Sequence, residues 1–127
     1  MTFATLITNS GKQIIMDRTF NSSPTLSEPS LFQVGTGIAA PTASDTNLET
    51  PLGSPAALLS GYPIIDESLN KVTLRAFIDT ATDNGENLAE FGIFNTDGPK
   101  LLFSRVIYTI IAKSAQIEIV YSEKEIF

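Results

Sequence analysis

Between residues 72 and 121 the chain repeats one pattern: a run rich in β-branched and aromatic residues, a turn signal, then another such run. In Val72-Thr73-Leu74-Arg75-Ala76-Phe77-Ile78-Asp79, side-chain alternation puts Val72, Leu74, Ala76 and Ile78 on one side and Thr73, Arg75 and Asp79 on the other. That is a half-buried strand. Asp83-Asn84-Gly85 reads as a hairpin turn, Glu90 to Asn95 as a short strand and Asp97-Gly98-Pro99 as another turn. Leu101 to Ala112 carries apolar residues on both faces, as a strand covered on both sides or one facing another subunit would. The last pairing begins at Ser114, where Ala115, Ile117, Ile119 and Tyr121 alternate with Gln116 and Glu118, and Ser122 to Glu125 reads as a charged tail before Ile126-Phe127. Hairpins at this spacing predict an all-β fold, mainly an antiparallel β-sandwich, with one short N-terminal helix.

That helix is expected in Gly11 to Phe20. Thr2 to Thr8 is rich in β-formers, Asn9-Ser10 offers capping oxygens, and Ile14, Ile15 and Phe20 form an apolar stripe with Met16 beside it. Two prolines make Asn21 to Pro29 an exposed loop. Ser30 to Val34 reads as a strand running into Gly35-Thr36-Gly37, a corner where backbone is free to take positive φ or approach another chain closely. Four prolines fall between Ile38 and Pro63, leaving room for one helical turn at Thr42 to Leu48, capped by Ser44 or Asp45. The expectation is a single domain over 1–127, with strand and helix in 1–21, a loop-rich middle over 35–66 and a β-rich C-terminal half over 70–122.

The 127 residues include no His, Cys or Trp. Without imidazole or thiolate the chain cannot build a Cys/His zinc site, a cysteine nucleophile or a Ser-His-Asp relay. A non-enzymatic protein with no cofactor and no metal is the expectation. The formal charge of −6, with no Lys/Arg cluster, argues against nucleic acid as a partner. No basic segment precedes an apolar stretch at the N-terminus, and Val106 to Ala112 is far short of the ~20 residues a span requires, so neither a signal peptide nor a membrane partner is expected.

Three motifs invite sharper chemistry. Gly35-Thr36-Gly37-Ile38-Ala39-Ala40 fits a dinucleotide-loop pattern, but Pro41 denies the helix that must open at once. Asp79 to Glu86 is acidic, yet with Gly85 in the sixth place of a calcium loop the twelfth is Phe91, which cannot supply the bidentate carboxylate. Asp66-Glu67 and Glu86 with Glu90 could be imagined flanking a glycosidic bond, but a solvated surface explains acids in a chain that has 14 of them. Arg105 reads as either an ion-pair anchor or an outward-facing strand residue. Tyr62, Asp66, Asp83 and Asn95 are the candidates if the sandwich is a carbohydrate- or receptor-binding module.

The chain resembles small virion proteins of tailed bacteriophages, which act as tail or baseplate components and as the virion-attaching start of tail fibres. The residues that carry the likeness are Thr8-Asn9-Ser10-Gly11-Lys12, Val34-Gly35-Thr36-Gly37, Pro41 to Leu48, Asn84-Gly85-Glu86, Glu90 to Asn95, Leu101 to Arg105 and Ile117 to Tyr121, in that order. Such proteins often carry Ala where this chain has Ser104. The resemblance implies a structural role in the virion, with other tail, baseplate or fibre proteins as partners and a homo-oligomer, a trimer or sixfold ring. A capsid decoration protein is the neighbouring alternative. A mean hydropathy of +0.13 alongside 17% charged residues is high for a lone soluble domain and fits surface reserved for neighbours. The assembly interface is expected at Val34, Gly35, Thr36, Gly37, Phe94, Asn95, Arg105, Ile126 and Phe127.

Overall fold

Four strands of eight residues or more carry the architecture, and every strand at a sheet edge is two or three residues long. The computed structural model describes the backbone of Thr2–Phe3 and all of residues 6–127. In chain order the elements are β1 (Thr2–Phe3), β2 (Leu6–Ile7), α1 (Asn9–Phe20), β3 (Leu31–Gly35), β4 (Ala56–Ala57) and β5 (Ile64–Asp66). A 3-10 turn (Glu67–Leu69) leads to β6 (Lys71–Ile78), β7 (Asn87–Phe94), β8 (Leu102–Ala112) and β9 (Ile119–Ile126). One sheet has the order β1-β9-β6-β5 and the other β2-β8-β7-β3-β4, antiparallel except where β1 runs parallel to β9. The expected mainly antiparallel, sandwich-like all-β fold with one N-terminal helix is what the chain adopts. Short edges, with Pro55 ahead of β4 and Pro63 ahead of β5, leave little ladder for a foreign strand to extend.

The core lies between the sheets. Leu74, Ala76 and Ile78 of β6 and Ile119 and Tyr121 of β9 meet Phe32, Val34, Phe91, Ile93, Phe103 and Val106 from the other sheet. Phe91 stacks on Tyr121 with ring centroids 4.5 Å apart and on Phe32 at 6.0 Å. Offset aromatic pairs of this kind add to the area they bury. The hydroxyls of Tyr108 and Tyr121 are hydrogen-bonded to each other. Burial pushes both phenols up, Tyr121 to about 12, so the pair stays neutral.

The alternation in β6 is as the sequence predicts, but several boundaries differ. The helix cap is Thr8, not Asn9 or Ser10, because its Oγ1 accepts the Gly11 N–H at 3.0 Å while its hydroxyl donates to carbonyls of β8. Ile14 is buried and Ile15 half-buried, whereas Phe20 stands free of the expected stripe. Part of the predicted Thr2 to Thr8 strand falls on Ala4 and Thr5, outside the described residues. Thr42 to Leu48 forms no helix; Asp45 accepts the Thr42 N–H and hydroxyl and closes a turn instead. The strand expected from Glu90 starts at Asn87. The last strand starts at Ile119 rather than Ser114 and runs on through the supposed charged tail to Ile126. Its Glu123 is fully buried, accepting hydrogen bonds from the Ser104 hydroxyl at 3.0 and 3.1 Å.

Asp83-Asn84-Gly85 is a turn, with positive φ at Asp83 and Gly85, but it joins no hairpin. It carries the chain from β6 in one sheet to β7 in the other, and the Gly85 N–H bonds to the Lys113 carbonyl just past β8. Asp97-Gly98-Pro99 does close a hairpin, between β7 and β8.

Candidate functional site

Two regions of the described residues stand out chemically. The first is a buried charge cluster on the face of the β7–β8 sheet turned away from β6 and β9. Cross-strand pairing of Gly92 with Arg105 and of Gly35 with Glu90 brings these residues to one face. Arg105 Nη2 meets Glu90 Oε2 at 2.9 Å and the Ala39 carbonyl at 3.0 Å, and Nη1 meets Asp45 Oδ2 at 3.0 Å. Glu90 also accepts the Glu49 N–H at 3.2 Å and the Thr50 N–H at 3.0 Å. Ala39, Asp45, Glu49 and Thr50 all lie in the segment after β3, so the cluster straps residues 36–51 across the sheet. Leu48 is thereby pressed onto Phe94 and Leu102.

Both Glu90 oxygens accept hydrogen bonds, so the cluster acts as a clamp that ties the strap to the sheet. Burial works against the Arg105 charge, but Glu90 and Asp45 outweigh it and raise its pKa further. Among the described residues Arg105 Nε has no hydrogen-bond partner. An unpaired buried donor is costly, so the cluster fixes a position more than it adds net stability.

Gly35 and Gly37 are glycines because of this clamp. A Cβ on Gly35 would lie 2.4 Å from Glu90 Oε1 and from the Thr50 carbonyl, and one on Gly37 would lie 2.2 Å from Glu90 Oε2. The close approach anticipated for this corner is therefore made by the chain's own strap. Glu90, classed with solvated acids by sequence, is buried, while Glu86 is exposed.

Burial acts to raise the Asp45 carboxyl pKa, yet the Thr42 N–H and hydroxyl and the Arg105 guanidinium together hold it below the ordinary value. A depressed carboxylate contributes stability above its unfolded pKa, near 3.9, that is lost as pH falls through the folded value. Asp45→Asn is therefore expected to be less stable than the parent at pH 7 and to match it near pH 2, in urea titrations at each pH.

The acidic loop after β6 already contains its cation. Buried Lys113 donates from Nζ to Asn84 Oδ1 at 2.8 Å and to the Ser114 carbonyl at 3.1 Å, and its charge acts on Asp79 and Asp83. Among the described residues no group of three or more acidic, His or Cys side chains could hold a metal ion. Burial and the neighbouring Glu86 raise the Asp83 pKa against the pull of Lys113. A raised carboxyl loses stability as pH climbs through its folded value, and Asn tolerates the positive φ found here. Asp83→Asn is expected to melt higher than the parent at pH 7, with the gap closing below about pH 4.

The second region is an open apolar slot of about 640 Å³ between α1 and the β5–β6 edge. Ile14, Ile15, Val72, Leu74 and Phe103 form its floor, and Phe20, Ile65 and Phe127 stand at its mouth. On the rim Arg18 pairs with Glu28 at 3.6 Å, both exposed.

Of the predicted interface residues, Val34, Gly35, Gly37, Phe94, Asn95 and Arg105 are buried within the chain itself and Thr36 is half-buried, leaving Ile126 and Phe127 exposed. Asn95 orders the β7–β8 turn, bonding Asp97 at 2.9 Å and the Leu101 N–H at 2.8 Å. The four carbohydrate candidates do not come together. Asp66 and Asp83 flank opposite ends of β6, Asp83 and Asn95 opposite ends of β7, and Tyr62 lies under the Arg75 guanidinium at 5.2 Å. No family description, curated protein or solved structure matches the chain. Sequence reading missed the slot because the residues that line it are as far apart as Ile14 and Phe103.

Proposed function

We propose that the chain is a non-enzymatic structural component of a bacteriophage tail, at the baseplate or fibre attachment, that works by symmetric assembly. The observation that carries this reading is the apolar slot with large side chains exposed at its mouth, on a body stiffened by two facing sheets and a strapped loop. Exposed apolar surface gathered in one place marks an interaction site. The ordered strings that resemble those of small phage tail proteins support other virion tail, baseplate or fibre proteins as partners and a trimer or sixfold ring as the symmetry. Closed rings use head-to-tail contacts of one repeated kind.

Gold-labelled antibody against the chain, applied to phage particles of the host strain and viewed by electron microscopy, tests the placement. Label on the tail is the expected result. Label on the head would replace the proposal with a capsid decoration role. A chain that stays monomeric at micromolar concentration and is absent from purified particles would overturn it.

A further inference from the structure

Independently of any assembly role, we propose that Asn84 is a site of spontaneous modification. Its side chain closes onto the backbone nitrogen of Gly85 and ends as aspartate or isoaspartate, with Lys113 as the activating group. Asn84-Gly85 is the one Asn-Gly pair in the chain, and it lies exposed in the turn between β6 and β7. Gly85 has no side chain to obstruct attack by its own nitrogen, and nothing lies within 4 Å of where a Cβ would stand.

One residue holds both reacting groups. Lys113 Nζ donates to Asn84 Oδ1 at 2.8 Å, and the Lys113 carbonyl accepts the Gly85 N–H at 2.9 Å. The side-chain amide and the nitrogen that follows it are therefore turned towards the same neighbour, which lowers the entropy lost in bringing them together. Lys113 is 2% exposed, and among the described residues no carboxylate comes within ion-pairing distance of it. A buried ammonium acts with little screening on the side-chain oxygen it holds.

Hydroxide takes the Gly85 N–H proton, which frees the nitrogen from the Lys113 carbonyl, and the nitrogen bonds to Asn84 Cγ. Negative charge gathers on Oδ1, where the ammonium meets it. The Cγ–Nδ2 bond then breaks and Nδ2 leaves as ammonia, taking a proton from water, so that a cyclic imide remains. Water opens the imide at either carbonyl. Both products add a negative charge near Lys113, and both lack the amide that bonded the Thr80 carbonyl at 2.9 Å.

Peptide mapping by mass spectrometry tests this on the full chain at mildly alkaline pH, for the parent and Lys113→Met, each folded and unfolded in guanidinium chloride. The expected result is conversion at Asn84 that is faster in the folded parent than in the unfolded chain, and at least about tenfold slower in folded Lys113→Met. Loss of the ammonium also loosens the turn, which by itself would speed conversion, so a slower variant reports activation and not order. If Lys113→Met does not fold, the folded and unfolded parent decide alone. A folded parent slower than the unfolded chain, or a folded variant that misses the tenfold drop, would overturn the proposal and leave Lys113 as a tie for the turn.

Discussion

Arg105→Met is expected to lower the stability of the fold by about 3–5 kcal/mol, the loss that follows when one partner of a buried ion pair is removed. Glu90 would keep its charge in a buried site with only the Glu49 and Thr50 N–H groups to solvate it. Asp45 and the Ala39 carbonyl would lose the guanidinium that holds the strap across the sheet. Urea denaturation at pH 7 measures the effect through the midpoint. Proteolysis gives an independent readout, with new cleavage expected between residues 36 and 51 before the β strands are attacked. A loss under about 1 kcal/mol, with the strap still protected, would show that Leu48 packing alone holds this segment.

The second large effect runs against helix propensity. Ala is favoured over Gly within a helix by about 1 kcal/mol. Gly11→Ala in α1 is nevertheless expected to destabilise by about 2 kcal/mol or more, because the new methyl would sit 2.1 Å from the Phe103 carbonyl oxygen and 2.8 Å from Ile7 Cγ2. The obstacle is backbone in β8, which cannot swing aside as a side-chain tip does. The helix must lift from the strand, and the Thr8 hydroxyl then loses its β8 carbonyls. Thermal unfolding by circular dichroism checks the sign: a raised melting temperature would mean that α1 slides along β8 at no cost.

How far the fold could be read from sequence depends on the range of the interaction that decides each residue. The inward face of β6 was legible because alternation is local, and Val72, Leu74, Ala76 and Ile78 need only their immediate neighbours to declare a side. The turn at Asp83-Asn84-Gly85 was legible as a turn but not as a passage between sheets, since turn chemistry is silent about which strand comes next to which. Glu90 and Glu123 were misread because a carboxylate is normally outside, and what overrides that preference lies elsewhere in the chain: Arg105 and the strap for one, Ser104 for the other. The Gly35-Gly37 corner was read as a place of close approach, and the close neighbours there are Glu90, Thr50 and Glu49 of the same chain. Phe20 was placed on the helix's apolar stripe and Ile65 was passed over for the opposite reason, because nothing local shows that an apolar side chain will be left outside.

The pairings that close both sheets are the ones most distant in sequence. β1 lies against β9 and β2 against β8, while β3 waits for β7 some 60 residues later. A chain emerging from the ribosome can therefore form neither sheet until its last strands arrive, and long-range β pairing of this sort places folding in roughly the millisecond-to-second range. The slot walls share that dependence, because Phe103 and Phe127 come late. Incomplete chains therefore lack the finished slot, so that surface exists only once synthesis has run to its late strands.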